Sequence, residues 1–276
     1  MNIKDYIRSK RQTLSESSIN TYASILKNLY KRVYKDDNFD LDKFKRKTIL
    51  SALVIITDNK EYRDLMSDDI KHYNIEIAKQ VKTPEQEASW IEQNEIENVY
   101  NDLKANADLL FKKKILSSSD LQQIQNFIIL SVLGCIFISP RRSKDYVNFK
   151  IKNINKTTDN YLEKNKFIFN SYKTSKTYGK QEVDIPSKLR NIINKWIKVN
   201  PTEYLLFDSN NNKLSSVKLN QRLNKIFDGK ISVNALRHSY LTDKFGSTID
   251  EKKEINDTMT DMGSSSSMLT NYVKNV

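Results

Sequence analysis

The chain reads as a mainly α-helical protein with a small antiparallel β-sheet, divided into two domains, residues 1–83 and 84–276. Three observations predict this. Apolar residues recur at three- and four-residue spacing along most of the chain. One pair of alternating runs, within "KFIFNSYKTSKTYGKQEVDIP", brackets a Ser/Thr/Gly-rich turn as a hairpin does. At Pro84 the composition changes: five glutamates stand between positions 85 and 97, with no lysine or arginine among them.

In the first domain, "LSESSINTYASILKNLYKRV" opens on a serine-rich cap and then places Ile19, Tyr22, Leu26, Leu29 and Val33 on one helical face. The first fifty residues hold twelve Lys/Arg against six Asp/Glu. The densest basic cluster is "KFKRK", with Lys43, Lys45, Arg46 and Lys47; a solvated helix face, a nuclear-import signal or a DNA-backbone patch would explain it. In the second domain, "EIENVYNDLKANADLLFKK" continues the helical pattern. "FIILSVLGCIFIS", Phe127–Ser139, is a 13-residue apolar run. A membrane span needs about 20 residues, so this run is expected to be a buried helix, with Arg141 and Arg142 at its exit. The hairpin follows, then "LRNIINKWIKV" and further helices nearly to the end. "VNALRHSYLTDKF" spaces Leu236, Tyr240, Leu241 and Phe245 helically, placing Arg237 and His238 on or beside a buried edge. A guanidinium there calls for an anion.

Composition narrows the function. Lysine plus arginine outnumber aspartate plus glutamate 46 to 34, a formal net charge of +12. That excess favours a polyanionic partner, nucleic acid before anionic membrane, and no long basic amphipathic helix supports the membrane. The single cysteine, Cys135, excludes a disulfide within the chain and points to a reducing, intracellular setting. Met1–Lys10 carries four charges and no apolar core, unlike a secretion signal. The five glycines form no nucleotide-binding loop, and His72 and His238, the two histidines, make a zinc site implausible. No cofactor and no metal is expected. His72 reads as a surface or satisfied histidine.

Four fragments then occur in a telling order: "SPRRSKDY", "YKTSKTYGKQEVDIP", "NALRHSY" and "DMGSSSSMLTNY". Over residues 85–276 this order resembles the catalytic-domain pattern of the tyrosine recombinase/integrase family, and the helical N-terminal unit is similar to that family's core-binding domain. The resemblance implies a two-domain DNA-breaking-rejoining architecture and cleavage through a 3′-phosphotyrosine. It implies Arg142 as the first catalytic arginine, with Arg141 as the alternative or a backbone-phosphate contact. It implies Lys173 as the hairpin lysine, with Lys176 second, Arg237 and His238 as the Arg-His pair, and Tyr272 as nucleophile. Asn234 stands where the family has the first His of His-x-x-Arg, and Ser264 where it has the His or Trp of the Gly-His element. The step from Ser264 to Tyr272 is one residue shorter than usual. Asparagine donates a hydrogen bond but exchanges no proton near neutral pH, so these departures bear on activity.

The resemblance further implies double-stranded DNA as partner, a homo-oligomer on DNA in a tetrameric synapse, and the nucleus as location in a eukaryotic host. The residue types suit the chemistry. Paired guanidiniums neutralise a phosphoryl transition state in a planar, bidentate way. Phosphotyrosine formation conserves the energy of the broken bond. Two other readings use the same fold: a catalytically weakened DNA-binding protein, and a nicking enzyme of the type IB topoisomerase kind.

Overall fold

A computed structural model of the chain describes residues 2–33 and 43–273. It divides into two compact units, Met1–Lys82 and Thr83–Val276.

The first unit is helical: α1 (Ile3–Lys10), α2 (Glu16–Val33), α3 (Lys43–Thr57) and α4 (Lys60–Ala78). Asn2 caps α1 by accepting from the Lys4 amide, and Asn59 caps α4 by accepting from Glu61. Between α3 and α4 the chain turns at Asp58, whose φ is 55°. The core gathers Ile7, Ile19, Ala23, Leu26 and Ala52, with Tyr22 and Leu29 packed against it. Ile19, Tyr22, Leu26 and Leu29 are α2 positions that the periodicity places on one face; the side chain of Val33 lies outside the described residues. Arg46 of α3 makes a two-pronged pair with the buried Asp69 of α4, at 2.5 and 2.9 Å.

The second unit begins with α5 (Pro84–Glu87), α6 (Gln93–Leu110) and α7 (Ser118–Leu133). Thr83 and Gln86 cap each other around α5, and Ser117 and Asp120 do the same for α7. Every residue from Phe127 to Leu133 is buried. The helix does not run on to Ser139 as the apolar pattern predicts. It stops at Leu133, because Gly134 caps it and Cys135 takes a left-handed backbone with φ 67°. A Cβ at position 134 would lie 2.6 Å from the Leu130 carbonyl oxygen. Residues 134–142 therefore leave the helix as an irregular segment, which carries Arg141 and Arg142 to α8 (Ser143–Val147).

The sheet has four strands: β1 (Phe149–Lys150), β2 (Asn160–Glu163), β3 (Lys166–Phe169) and β4 (Gln181–Asp184), in that spatial order. β2–β3 and β3–β4 are antiparallel, but β1 pairs with β2 in parallel, so the sheet is mixed rather than purely antiparallel. The β3–β4 hairpin pairs Phe167 with Val183, and a one-turn helix α9 (Ser175–Tyr178) occupies its connection. Tyr146, Phe149, Phe167 and Phe169 pack edge to face or tilted beneath the sheet, with centroids 5.1–6.4 Å apart.

Then come α10 (Ser187–Val199), α11 (Ser216–Ile226), α12 (Val233–Phe245), α13 (Thr248–Asp261), a 3-10 turn (Ser266–Met268) and α14 (Leu269–Tyr272). Buried Gln125 of α7 exchanges two hydrogen bonds with the backbone of Phe207. Along α12, Leu236 is buried and Tyr240 half-buried, whereas Leu241 and Phe245 are exposed. The expected apolar edge thus covers only the first half of the helix. Among the described residues no helix is long and apolar enough to cross a membrane.

Candidate active site

A cavity of about 600 Å³ opens where the irregular segment after α7, the β3–β4 hairpin and α12 meet. Arg142 and Arg237 both line it, although 95 residues separate them in the chain.

The two neighbouring arginines differ in their commitments. Arg141 donates from Nε to Asp145 at 2.8 Å and from a terminal nitrogen to Gln181 of β4 at 2.9 Å. Its guanidinium lies 4.0 Å above the Phe169 ring and 5.1 Å from that of Tyr172. It cross-links α8 to the hairpin. Arg142, at the N-cap of α8, is exposed, and its side chain makes no hydrogen bond or ion pair among the described residues. Arg141 lines the cavity as well, but it does so tied to Asp145 and Gln181, whereas the Arg142 side chain is uncommitted.

Electrostatics connect the members of the site. Burial, and then the charge of Arg142, pull the Arg237 guanidinium below its ordinary range; Asp145 opposes them. Asp145 is buried, and burial pushes its carboxyl up while Arg141, and to a lesser extent Arg142 and Arg237, pull it down. Among the described residues its Oδ1 has no hydrogen-bond partner. Three guanidiniums, Arg141, Arg142 and Arg237, line the cavity with two carboxylates, Asp145 and Asp184, which leaves a net positive pocket suited to an oxyanion.

The other residues singled out in the sequence take varied positions. Asn234 is exposed one turn before Arg237, its Oδ1 3.5 Å from an Arg237 nitrogen. Lys173 is exposed in the turn after β3; its neighbours Tyr172 and Thr174 line the cavity. Lys176, on α9, and His238 are exposed and do not line it. Ser264 follows Gly263, whose φ of 70° closes α13, and its amide donates to the Met259 carbonyl at 2.8 Å. Tyr272, on α14, is 57% exposed and lies outside the cavity lining. In the first unit, Lys47 sits 5.3 Å over the Tyr73 ring, Arg46 is held by Asp69, and the side chains of Lys43 and Lys45 lie outside the described residues. His72 is exposed on α4. Among the described residues no cluster of His, Cys, Asp or Glu is placed to hold a metal ion.

Two residues that shape the site, Tyr240 in the lining and Asn160 behind it, escaped the sequence reading. Tyr240 faces the cavity one turn after Arg237, its hydroxyl 3.0 Å from Ser139 Oγ and 3.2 Å from the Lys244 ammonium. The i, i+3 spacing from Arg237 is a signal that could have found it. Asn160 is wholly buried and makes four hydrogen bonds: it donates to the Asp145 and Ser171 carbonyls and accepts from the Asn170 and Ser171 amides. It fixes α8 against the chain leading to Lys173. Nothing local in the sequence marks it.

No protein-family model and no curated protein matches the chain. Among solved structures, a lambda integrase (75–356) dimer bound to a COC′ core site is similar over 90% of this chain and 94% of its own, with 13% identity and a TM-score of 0.44. A further lambda integrase dimer on that core site is similar over 91% of this chain and 72% of its own, at 12% identity and a TM-score of 0.45. XerA recombinase is similar over 88% of this chain and 82% of its own, at 13% identity and a TM-score of 0.38. Identities this low transfer no residue roles; the roles proposed below come from the resemblance read in the sequence and from the geometry of the arginine cavity.

Proposed function

We propose that the chain is a tyrosine recombinase, cleaving and rejoining DNA strands through a 3′-phosphotyrosine on Tyr272. The observation that carries this reading is the convergence of Arg142 and Arg237 on one cavity, with Arg142 uncommitted to any protein partner among the described residues. A scissile phosphate seated between them would receive two planar donors where charge builds in the transition state.

The Tyr272 oxygen attacks phosphorus, and the bond to the 5′-oxygen breaks. His238 accepts the phenol proton, and Lys173, flexible on its turn, protonates the departing 5′-oxygen. Attack by a 5′-hydroxyl on the phosphotyrosine reverses both proton transfers and releases Tyr272. The bond energy is kept throughout, so the step itself calls for neither ATP nor a metal. Because Tyr272 stands outside the cavity, the reading requires the segment Gly263–Tyr272 to reach it on DNA. The first unit serves as a core-binding domain, with Lys47 among its phosphate contacts. The whole acts as an oligomer, a tetrameric synapse, in recombination or integration of a virus or mobile element.

A second reading, a catalytically silent DNA-binding protein, draws support from Asn234, Ser264 and the exposed position of Tyr272. Trapping on a nicked suicide duplex followed by a denaturing gel separates them. The wild-type chain is expected to become covalently attached to the 3′-phosphate side, and Tyr272→Phe or Arg237→Ala to remove the adduct. An undiminished adduct in Tyr272→Phe would refute the nucleophile. Tight duplex binding with no wild-type adduct would establish the silent reading. Relaxation of supercoiled plasmid without two-site recombination would mark a topoisomerase-like enzyme.

A further inference from the structure

A second cavity, of about 740 Å³, lies towards the opposite end of α7, bordered by Gln122 and Asn126. From Gln122 to Leu133 the helix rises roughly 16 Å at 1.5 Å per residue, so this cavity is distinct from the arginine pair described above. It is built against α11, where Lys218, Arg222 and Lys225 follow one another at helical spacing along one face.

Arg222 is the unusual member. Its Nε donates to Asn126 Oδ1 at 2.6 Å, and its terminal nitrogens donate to the side-chain and backbone oxygens of Gln122. All three acceptors are neutral. Among the described residues no carboxylate pairs with Arg222. The carboxylate lining the cavity, Asp208, is held by Lys218 at 2.7 Å. Burial alone pulls the Arg222 guanidinium down to about 10. A partly desolvated cation with only neutral partners is unfavourable unless an anion completes it. Of the five guanidinium N–H groups three are used, leaving one on each terminal nitrogen.

We infer that this cavity is a phosphate-binding site, in which the free terminal N–H groups of Arg222 grip the anion and Lys225 completes its charge. With Lys218 and Asp208 offsetting each other, Arg222 and Lys225 leave two uncompensated positive charges, which suit a tetrahedral, multiply charged oxyanion better than a carboxylate, whose two oxygens one fork satisfies. The carboxamides of Gln221 and Asn224, also in the lining, offer neutral donors. The inference is independent of what happens at Arg142 and Arg237. A role as a simple tie between α11 and α7 would explain the three hydrogen bonds but predicts no ligand.

The test titrates inorganic phosphate into the chain carrying Arg142→Ala and Arg237→Gln, which removes two of the three guanidiniums lining the other pocket, with calorimetric detection. One saturable equivalent is expected. Adding Arg222→Gln, or separately Lys225→Glu, is expected to weaken it by about tenfold or more, since a hydrogen bond to a charged group contributes about 1.5–3 kcal/mol. Lys225 is exposed and its ammonium takes part in no hydrogen bond or ion pair among the described residues, so its substitution decides the matter if Arg222→Gln does not fold. Absence of saturable binding, or binding untouched by Lys225→Glu and by a folded Arg222→Gln, overturns the inference. Displacement of the bound phosphate by a short DNA duplex identifies a backbone phosphate as the natural source. Phosphate that duplex leaves in place identifies a free phosphate compound.

Discussion

Arg141 and Arg142 are chemically identical neighbours whose surroundings assign them opposite work. Arg141 is paired with buried Asp145, bonded to Gln181 and stacked on Phe169, so Arg141→Ala leaves a buried carboxylate without its partner. It should destabilise the second unit by about 3 kcal/mol in urea titration. Arg142→Ala touches no such network and should change stability by no more than about 0.5 kcal/mol while abolishing the DNA adduct. The reverse pattern would exchange the two roles. Asn234 belongs to the same scale. Its side chain approaches Arg237 at 3.5 Å but cannot take or give a proton. Asn234→His should therefore raise the rate of adduct formation, measured by single-turnover trapping. A rate that does not rise would mean the pocket is adapted to asparagine.

At the scale of elements, α7 governs where the arginines emerge, and its start is held electrostatically. Asp120 accepts from the amide and hydroxyl of Ser117 and from the Lys113 ammonium at 2.7–3.0 Å, which holds its carboxyl down at about 2, Lys113 being the largest cause. A carboxylate whose folded pKa lies below its unfolded value of about 4 stabilises the fold fully above that pH. The contribution fades as pH falls from about 4 through about 2. Thermal denaturation across this window should show the midpoint dropping steeply in the wild type. Asp120→Asn should start lower at neutral pH and lose that part of the slope. An identical pH profile in both proteins would show that the cap does not carry this stability. The far end of α7 teaches a different lesson. Apolar character alone carries the helical reading on to Ser139, yet the backbone leaves the helix at Gly134 and Cys135. A left-handed residue inside an apolar run leaves the hydropathy pattern unchanged. The short strands β1 and β2 were hidden for a related reason: two residues, or a four-residue run with a buried asparagine, show no alternation.

For the whole molecule, the governing quantity is the net charge of +12. If phosphates are neutralised by the arginine pocket and by basic residues of both units, duplex affinity should fall with salt at a log–log slope of roughly −0.9 per phosphate contacted. Fluorescence anisotropy over a range of salt concentrations measures it, and affinity that does not respond to salt would contradict the DNA reading. Arg142→Ala should flatten the slope by about one contact at most.

Much of this was legible in the residues themselves. Helical periodicity, the alternating runs around Lys173 and the compositional break at Pro84 are local properties, written in side chains that must face a core or water wherever they fold. The ordering of arginine, lysine, Arg-His and tyrosine fragments is likewise linear. What the sequence could not contain is which charge is free. Arg141 is tied down and Arg142 is not because Asp145, Gln181 and Phe169 arrive from three different elements at one guanidinium. Arg46 is taken in the same way by Asp69, 23 residues away. Among the described residues Arg222 meets no carboxylate, because α7 offers it only amide oxygens. Pairing, desolvation and convergence depend on long-range distances, and only the tertiary structure sets those.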